Sequence, residues 1–190
     1  MQFHDGKFKI LLLADIQDTD TPRRPTKDLL CAALDKTKPD LAILLGDNTG
    51  GNWPRVDVRR TQKAVDAVAS ELYNRGVPFA LVFGNHDHEG LCNAKNGMTE
   101  KEAKRLLLSM FQAYPNCLSC EGEPMTGVGN YNLLLKDSRG QKDIFNLWFF
   151  DSNPYAPQEE GGGYGYVHED QIAWYEKTSA ALTEKNGGVP

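Results

Sequence analysis

The chain has 190 residues, 40% of them hydrophobic and 25% charged, with a formal net charge of −5. This is the composition of one globular domain with a sizeable core, and it excludes an intrinsically disordered chain. The acidic balance argues against a nucleic-acid or anionic-membrane partner, which calls for a basic face, and no apolar run approaches the ~20 residues that span a bilayer.

Residues 8–14, "FKILLLA", form an apolar run that turns polar at once in "DIQD". With no basic stretch or small-residue cleavage site, the run reads as a strand rather than a signal peptide, which favours a cytoplasmic location. Residues 41–45, "LAILL", and 78–83, "PFALVF", are two further runs of the same kind. Short all-apolar runs followed by Gly or Asp predict strands buried on both faces. Between them, residues 26–37 place Leu29, Leu30, Ala33 and Leu34 on one helical stripe, and residues 57–75 do the same with Val58, Val65, Val68 and Leu72. Strand–helix–strand–helix–strand predicts a parallel sheet with right-handed crossovers.

Residues 98–114 predict a helix with a capping box, Thr99 as cap and Glu102 three residues on. A Gly- and Pro-rich loop follows at 115–129. The runs 130–137 and 143–151 flank "SRGQ" and predict an antiparallel hairpin. Residues 152–165 predict a long flexible loop, and 168–185 a last helix with Ile172, Trp174, Tyr175 and Leu182 apolar. Four cysteines are too few for a disulfide scaffold, and "CLSC" at 117–120 lacks the second ligand pair of a zinc knuckle.

The three parallel runs all end in side chains able to bind metal: Asp15 after the first, Asp47 and Asn48 after the second, and Asn85, His86 and Asp87 after the third. In open α/β sheets the ligand crevice lies beyond the carboxyl ends of the strands, so these residues can converge there. Asp supplies a hard anionic oxygen, Asn a neutral amide oxygen and His a borderline nitrogen, a set suited to Mn, Fe or Zn. Two such ions ~3.5–4 Å apart can activate water and clamp a phosphoryl group. Taken singly, each residue has a plainer reading: Asp15 as a turn cap, "GD" at 46–47 as a turn, His86 as a solvated loop histidine. Asp151, at the end of "LWFFD", either approaches the site or caps a turn. His4 reads as surface, His88 as solvent-facing although within reach of a metal, and His168 as a cap-region residue.

In this order, "AD" at 14–15, "LLGDN" at 44–48 and "FGNHD" at 83–87 resemble the motifs of calcineurin-like metallophosphoesterases, in the purple-acid-phosphatase-like branch. Softer likeness extends through "GVGNYNLLL", "LWFFDS" and "YGYVHEDQIAWY" to about residue 175. The resemblance implies a four-layer α-β-β-α sandwich and a dinuclear site of divalent or trivalent ions. It implies Asp15 on one metal, Asp47 bridging and Asn85 on the other. It implies His86 at the phosphate and leaving group, and attack by metal-bound hydroxide on a phosphoester substrate. Two departures stand out. Where the family has Asp-x-His, this chain has Asp15-Ile16-Gln17, so Gln17 either ligates weakly through its amide oxygen or stands outside the ligand set. The family's distal His motifs are absent, which points to a fragment whose second sheet lacks strands. Such a chain is expected to have an open sheet edge that another copy could cover, and to be a truncated or inactive metal- or phosphate-binding module if catalysis is lost.

Overall fold

A computed structural model describes residues 1–51, 55–93 and 95–188. Strands β1 (Ile10–Leu13), β2 (Leu41–Leu45) and β3 (Phe79–Val82) form a parallel sheet in the order β1-β2-β3. Helix α1 (Arg24–Thr37) connects β1 to β2, and α2 (Val58–Asn74) connects β2 to β3. Helix α3 (Glu100–Gln112) follows, then the antiparallel pair β4 (Tyr131–Lys136) and β5 (Asp143–Phe149), and finally α4 (Glu169–Lys185). Every expected element is present: β2 has the expected bounds, α1 begins two residues earlier, and the others are shorter by one or two residues at one or both ends.

The side-chain alternation of the strands builds the layers. In β2 and β3, Ala42, Leu44, Phe79 and Leu81 face one way and pack with Leu30 and Leu34 of α1, Val65, Val68 and Leu72 of α2, and Leu107 and Phe111 of α3. The alternate residues Leu41, Ile43 and Ala80 face the other way, against Tyr131 of β4 and Phe149 of β5. On the far side of β5, Trp148 meets Trp174 of α4 edge-on, with ring centroids 5.3 Å apart. The order is therefore helices, parallel sheet, antiparallel pair, helix: an α-β-β-α sandwich. Strands 3.3 Å per residue with alternating faces allow this only when both faces of the central sheet are apolar, as in "LAILL".

Local chemistry sets the helix ends. Asp57 caps α2 through its carboxylate, which accepts from the Arg60 N–H. At α3 the Thr99 hydroxyl accepts from the Glu102 N–H while Glu102 accepts from Thr99, the expected capping box. Lys38 ends α1 in a left-handed conformation.

Several expectations about packing need correction: β1 is not buried on both faces, Leu12 being 58% exposed, and Val58 at the start of α2 is exposed rather than part of its buried stripe. Leu29 is 72% exposed, because Leu30 and Leu34 define the buried stripe of α1 and Leu29 lies on its flank, beside β1 at the sheet edge. Ile172 and Tyr175 of α4 are also largely exposed, leaving Trp174 and Gln171 as the residues that bury. The loop at 152–165 is structured by its own bonds: Tyr155 and Tyr164 pair as an antiparallel bridge around a 3₁₀ turn at Gln158–Glu160.

A buried polar network joins the layers behind the site. The Lys104 ammonium on α3 contacts both carboxylate oxygens of Asp151 at 2.9 and 2.8 Å, and Glu100 at 2.9 Å. Asp151 also accepts from the Val128 and Asn153 N–H groups, so of the two roles open for it the turn-capping one is realised, with a buried ion pair added. The Gln171 amide of α4 donates to Asn130 and to the Asp151 carbonyl.

Candidate active site

The loops leaving β1, β2 and β3 meet at one end of the parallel sheet. The Asp15 N–H donates to the Gly46 carbonyl at 3.2 Å, and the Gln17 N–H to the Asp47 carbonyl at 2.9 Å, so the first two loops run side by side. The third loop joins through the His86 N–H, which donates to Asp47 Oδ1 at 2.9 Å. Asp15, Gln17 and Asp47 all have left-handed backbones, with φ of 54°, 40° and 47°. Non-glycine residues in that region carry a local cost of order 1–3 kcal/mol each and concentrate at functional sites; here three lie on two adjacent strand ends.

Two glycines make the close approach possible. Gly46 has φ +94°, and a Cβ on it would lie 2.8 Å from the Gly84 nitrogen. A Cβ on Gly84 would lie 2.2 Å from Asp47 Oδ1. The carboxylate of Asp47 therefore occupies the space that a side chain at 84 would take.

Asp87 locks the second and third loops together. Its carboxylate accepts from the backbone N–H groups of Asn48, Thr49 and Gly84 at 2.8, 3.0 and 2.8 Å. Burial pushes its carboxyl up to about 6, against these donors, which favour the ionised form. Asn48 donates to the Val82 carbonyl, and its Oδ1 is buried without a hydrogen-bond partner among the described residues.

Asp47 is 7% exposed, and both its oxygens are engaged: Oδ1 by His86 and Oδ2 by the Gln17 side-chain amide at 2.7 Å. Asn85 turns its amide nitrogen to the Tyr155 hydroxyl at 2.9 Å. His86 Nδ1 lies 2.9 Å from Glu89 Oε2, and this hydrogen bond raises the imidazole above its usual value. With Nδ1 held by Glu89, Nε2 is the nitrogen left for a ligand.

The donor chemistry suits cations. The Asp15 carboxylate, the Asp47 lone pairs and the amide oxygens of Gln17 and Asn85 are hard ligands, and the Asn85 amide already points its nitrogen away to Tyr155. Among the described residues no group of three or more His, Cys, Asp or Glu is placed to hold a metal ion.

The other histidines are placed as follows. His4 is exposed, and its backbone pairs with Lys7. His168 is the N-cap of α4, its N–H donating to Gln171 Oε1. His88, expected to face solvent, is instead buried: it opens a tight turn whose Leu91 and Cys92 N–H groups donate back to its carbonyl. Its Nδ1 has no hydrogen-bond partner among the described residues, and burial lowers its basicity.

Glu89 and Tyr155 are the neighbours that the sequence reading did not single out. Glu89 carried a readable signal, an acid three residues after His86 within one tight turn. Tyr155 carried none, since nothing local announces a contact 70 residues away.

Comparison with known proteins agrees with this architecture. The family model described as "Metallophos: Calcineurin-like phosphoesterase" matches residues 8–183. The chain is 28% identical over 211 residues to "Probable inactive purple acid phosphatase 29" of Arabidopsis thaliana, covering 98% of this chain and 51% of that protein. It is 31% identical over 208 residues to "Probable inactive purple acid phosphatase 14" of the same plant, covering 94% and 48%. It is 26% identical over 189 residues to "Phosphatase DCR2" of Saccharomyces cerevisiae, covering 90% and 31%. The chain thus spans about half the length of the plant relatives, or less than that of the yeast one. With the matched span, the order of the strand-end motifs and the α-β-β-α layering all in agreement, the chain belongs to the calcineurin-like phosphoesterase family, in its purple-acid-phosphatase-like branch.

Proposed function

We propose that this chain carries a metal-dependent site for hydrolysis of a phosphoester, as a phosphatase or a phosphodiesterase. The observation that carries the reading is the Asp47 carboxylate, nearly buried at the meeting point of three strand-end loops, with the Gln17 amide on one oxygen and the His86 N–H on the other. Asp15 and Gln17 would hold one cation, Asn85 the other, and Asp47 would lie between them. Two divalent or trivalent ions (Mn, Fe or Zn), when bound, would supply positive charge and Lewis acidity where the bare site is anionic.

The chain's own groups divide the remaining work. Asp87 fixes the second loop against the third, so that Asp47 and Asn85 keep their spacing. Glu89 holds Nδ1 of His86 and keeps that imidazole protonated to higher pH, so that Nε2–H can donate to a phosphate oxygen and then to the departing oxygen. Tyr155 holds the Asn85 nitrogen and leaves the amide oxygen free for a cation.

A second reading, a module that binds metal or phosphate without turnover, is favoured by one contact. The Gln17 amide nitrogen donates to Asp47 Oδ2, taking a lone pair on the carboxylate that would hold the cations. Manganese-loaded protein assayed with 4-nitrophenyl phosphate and its diester, beside His86→Ala, separates the two. Turnover at least about a hundredfold above that of His86→Ala supports catalysis; phosphate binding with no turnover supports the module.

A further inference from the structure

Tyr155 and Tyr164 stand beside this site in an arrangement that folding alone does not require. Their backbones pair as an isolated bridge, with the Ala156 N–H donating to the Gly163 carbonyl at 3.0 Å. Their rings lie nearly parallel, with centroids 6.2 Å apart and planes 20° apart. Tyr164 is 78% exposed, more than any other large hydrophobic side chain among the described residues, and Tyr155 is 48% exposed. Burying either ring elsewhere would stabilise the fold, so an ordered pair held open to solvent marks a binding surface rather than a core.

The Tyr155 hydroxyl ties that surface to the chemistry. It accepts from Asn85 Nδ2 at 2.9 Å and donates to Glu89 Oε1 at 3.5 Å, while the other oxygen of Glu89 holds His86 Nδ1. One carboxylate therefore separates the tyrosine hydroxyl from the imidazole that would serve the leaving group. The loop is braced from its other side by the Tyr166 hydroxyl, which donates to Glu160, and by Tyr166 stacking on His168 at 4.6 Å.

From this geometry we infer that the Tyr155–Tyr164 pair is the leaving-group subsite, and that the group it takes is flat, aromatic and uncharged. The inference rests on the phosphoester reading, since the phosphate must sit at Asp47 and His86 for its substituent to reach these rings. Aromatic faces stack on any flat π system. Glu89, against the Tyr155 hydroxyl, makes an anionic group, such as a further phosphate, unwelcome. The class is a phosphate esterified to an aryl or a nucleoside group, rather than a sugar phosphate or a polyphosphate.

Equilibrium binding tests this without turnover. Inorganic phosphate, methylphosphonate, phenylphosphonate and a nucleoside 5′-phosphonate are titrated calorimetrically into the manganese-loaded chain, its Tyr164→Ala variant and its Tyr164→Phe variant. The wild type is expected to bind phenylphosphonate about three- to tenfold tighter than methylphosphonate. Tyr164→Ala should lose that preference, Tyr164→Phe should keep it, and inorganic phosphate should bind all three alike. A nucleoside phosphonate tighter than the phenyl compound assigns the subsite to a nucleobase, and a weaker one assigns it to a simple aryl group. Equal affinity for methyl- and phenylphosphonate in a wild type that binds phosphate overturns the subsite alone. Failure of inorganic phosphate to bind the wild type overturns the phosphate site and the subsite with it.

Discussion

The side-chain amide of Gln17 donates to Asp47 Oδ2 at 2.7 Å, placing a neutral donor on the carboxylate at the centre of the site. An amide nitrogen there does by hydrogen bonding what a cation would do by coordination: it satisfies a nearly buried anion. For Gln17 to ligate instead, its amide must turn so that oxygen faces the ion. That rotation gives up a charge-assisted hydrogen bond, so metal and amide compete for the same oxygen.

Gln17→His removes this competition and supplies an imidazole, a stronger ligand for a borderline divalent ion. Manganese or zinc affinity measured by calorimetry is expected to rise at least about tenfold, in the range that ligand-shell changes usually produce. An unchanged affinity would show that the Gln17–Asp47 bond does not limit metal binding.

Gly84→Ala tests the close approach of the loops. Its Cβ would lie 2.2 Å from Asp47 Oδ1 and 2.4 Å from the Asp47 nitrogen, so the third loop must move away. Overpacking of this kind costs about 1–3 kcal/mol. A urea denaturation midpoint lowered accordingly, with the His86 amide resonance shifted by loss of its Asp47 partner, is the expected outcome.

The buried pair Lys104–Asp151 makes a different prediction. Both side chains are almost wholly buried, with exposures of 1% and 2%. Lys104→Met would leave the Asp151 carboxylate among N–H donors but without its counter-charge, at a cost of about 3–5 kcal/mol in urea unfolding. Adding Asp151→Asn should recover part of that loss, because the isolated charge is then gone; strictly additive effects would argue against direct coupling.

His86 provides the pH dependence. Its hydrogen bond to Glu89 raises the imidazole, so the folded chain holds this proton more tightly than the unfolded one. The stabilisation is fully present below the unfolded value near 6.5 and fades as pH rises through the folded one. Glu89→Gln should move the midpoint of the His86 ring resonances downward in an NMR titration of the metal-free chain. An unmoved midpoint would mean that Glu89 does not hold the imidazole in solution.

Much of this was legible in the sequence because it is local. The runs "KILLLA", "LAILL" and "FALVF" announce strands, of which β2 and β3 are largely buried while Leu12 of β1 stands 58% exposed, and each ends in its ligand-capable residues within two or three positions. The Thr99–Glu102 box and the hairpin around "SRGQ" are equally local signals. What stayed hidden depends on distance along the chain. The pairing of Gln2 with Lys136, the Lys104–Asp151 bond and the reach of Tyr155 to Asn85 leave no periodic trace. The burial of His88 was missed for the same reason: a histidine in a polar loop looks solvated until the turn at 88–92 folds it inward.

In the proposed function the ends of β1, β2 and β3 share bound cations through Asp15, Asp47 and Asn85, and phosphate binds there only through those cations. Calorimetric titration of inorganic phosphate into the wild-type chain and into Asp47→Asn, each with and without manganese, tests it most directly. Phosphate is expected to bind the metal-loaded wild type alone, with manganese affinity reduced at least about tenfold in Asp47→Asn. Phosphate binding of equal strength without metal, or manganese binding untouched by Asp47→Asn, would contradict it.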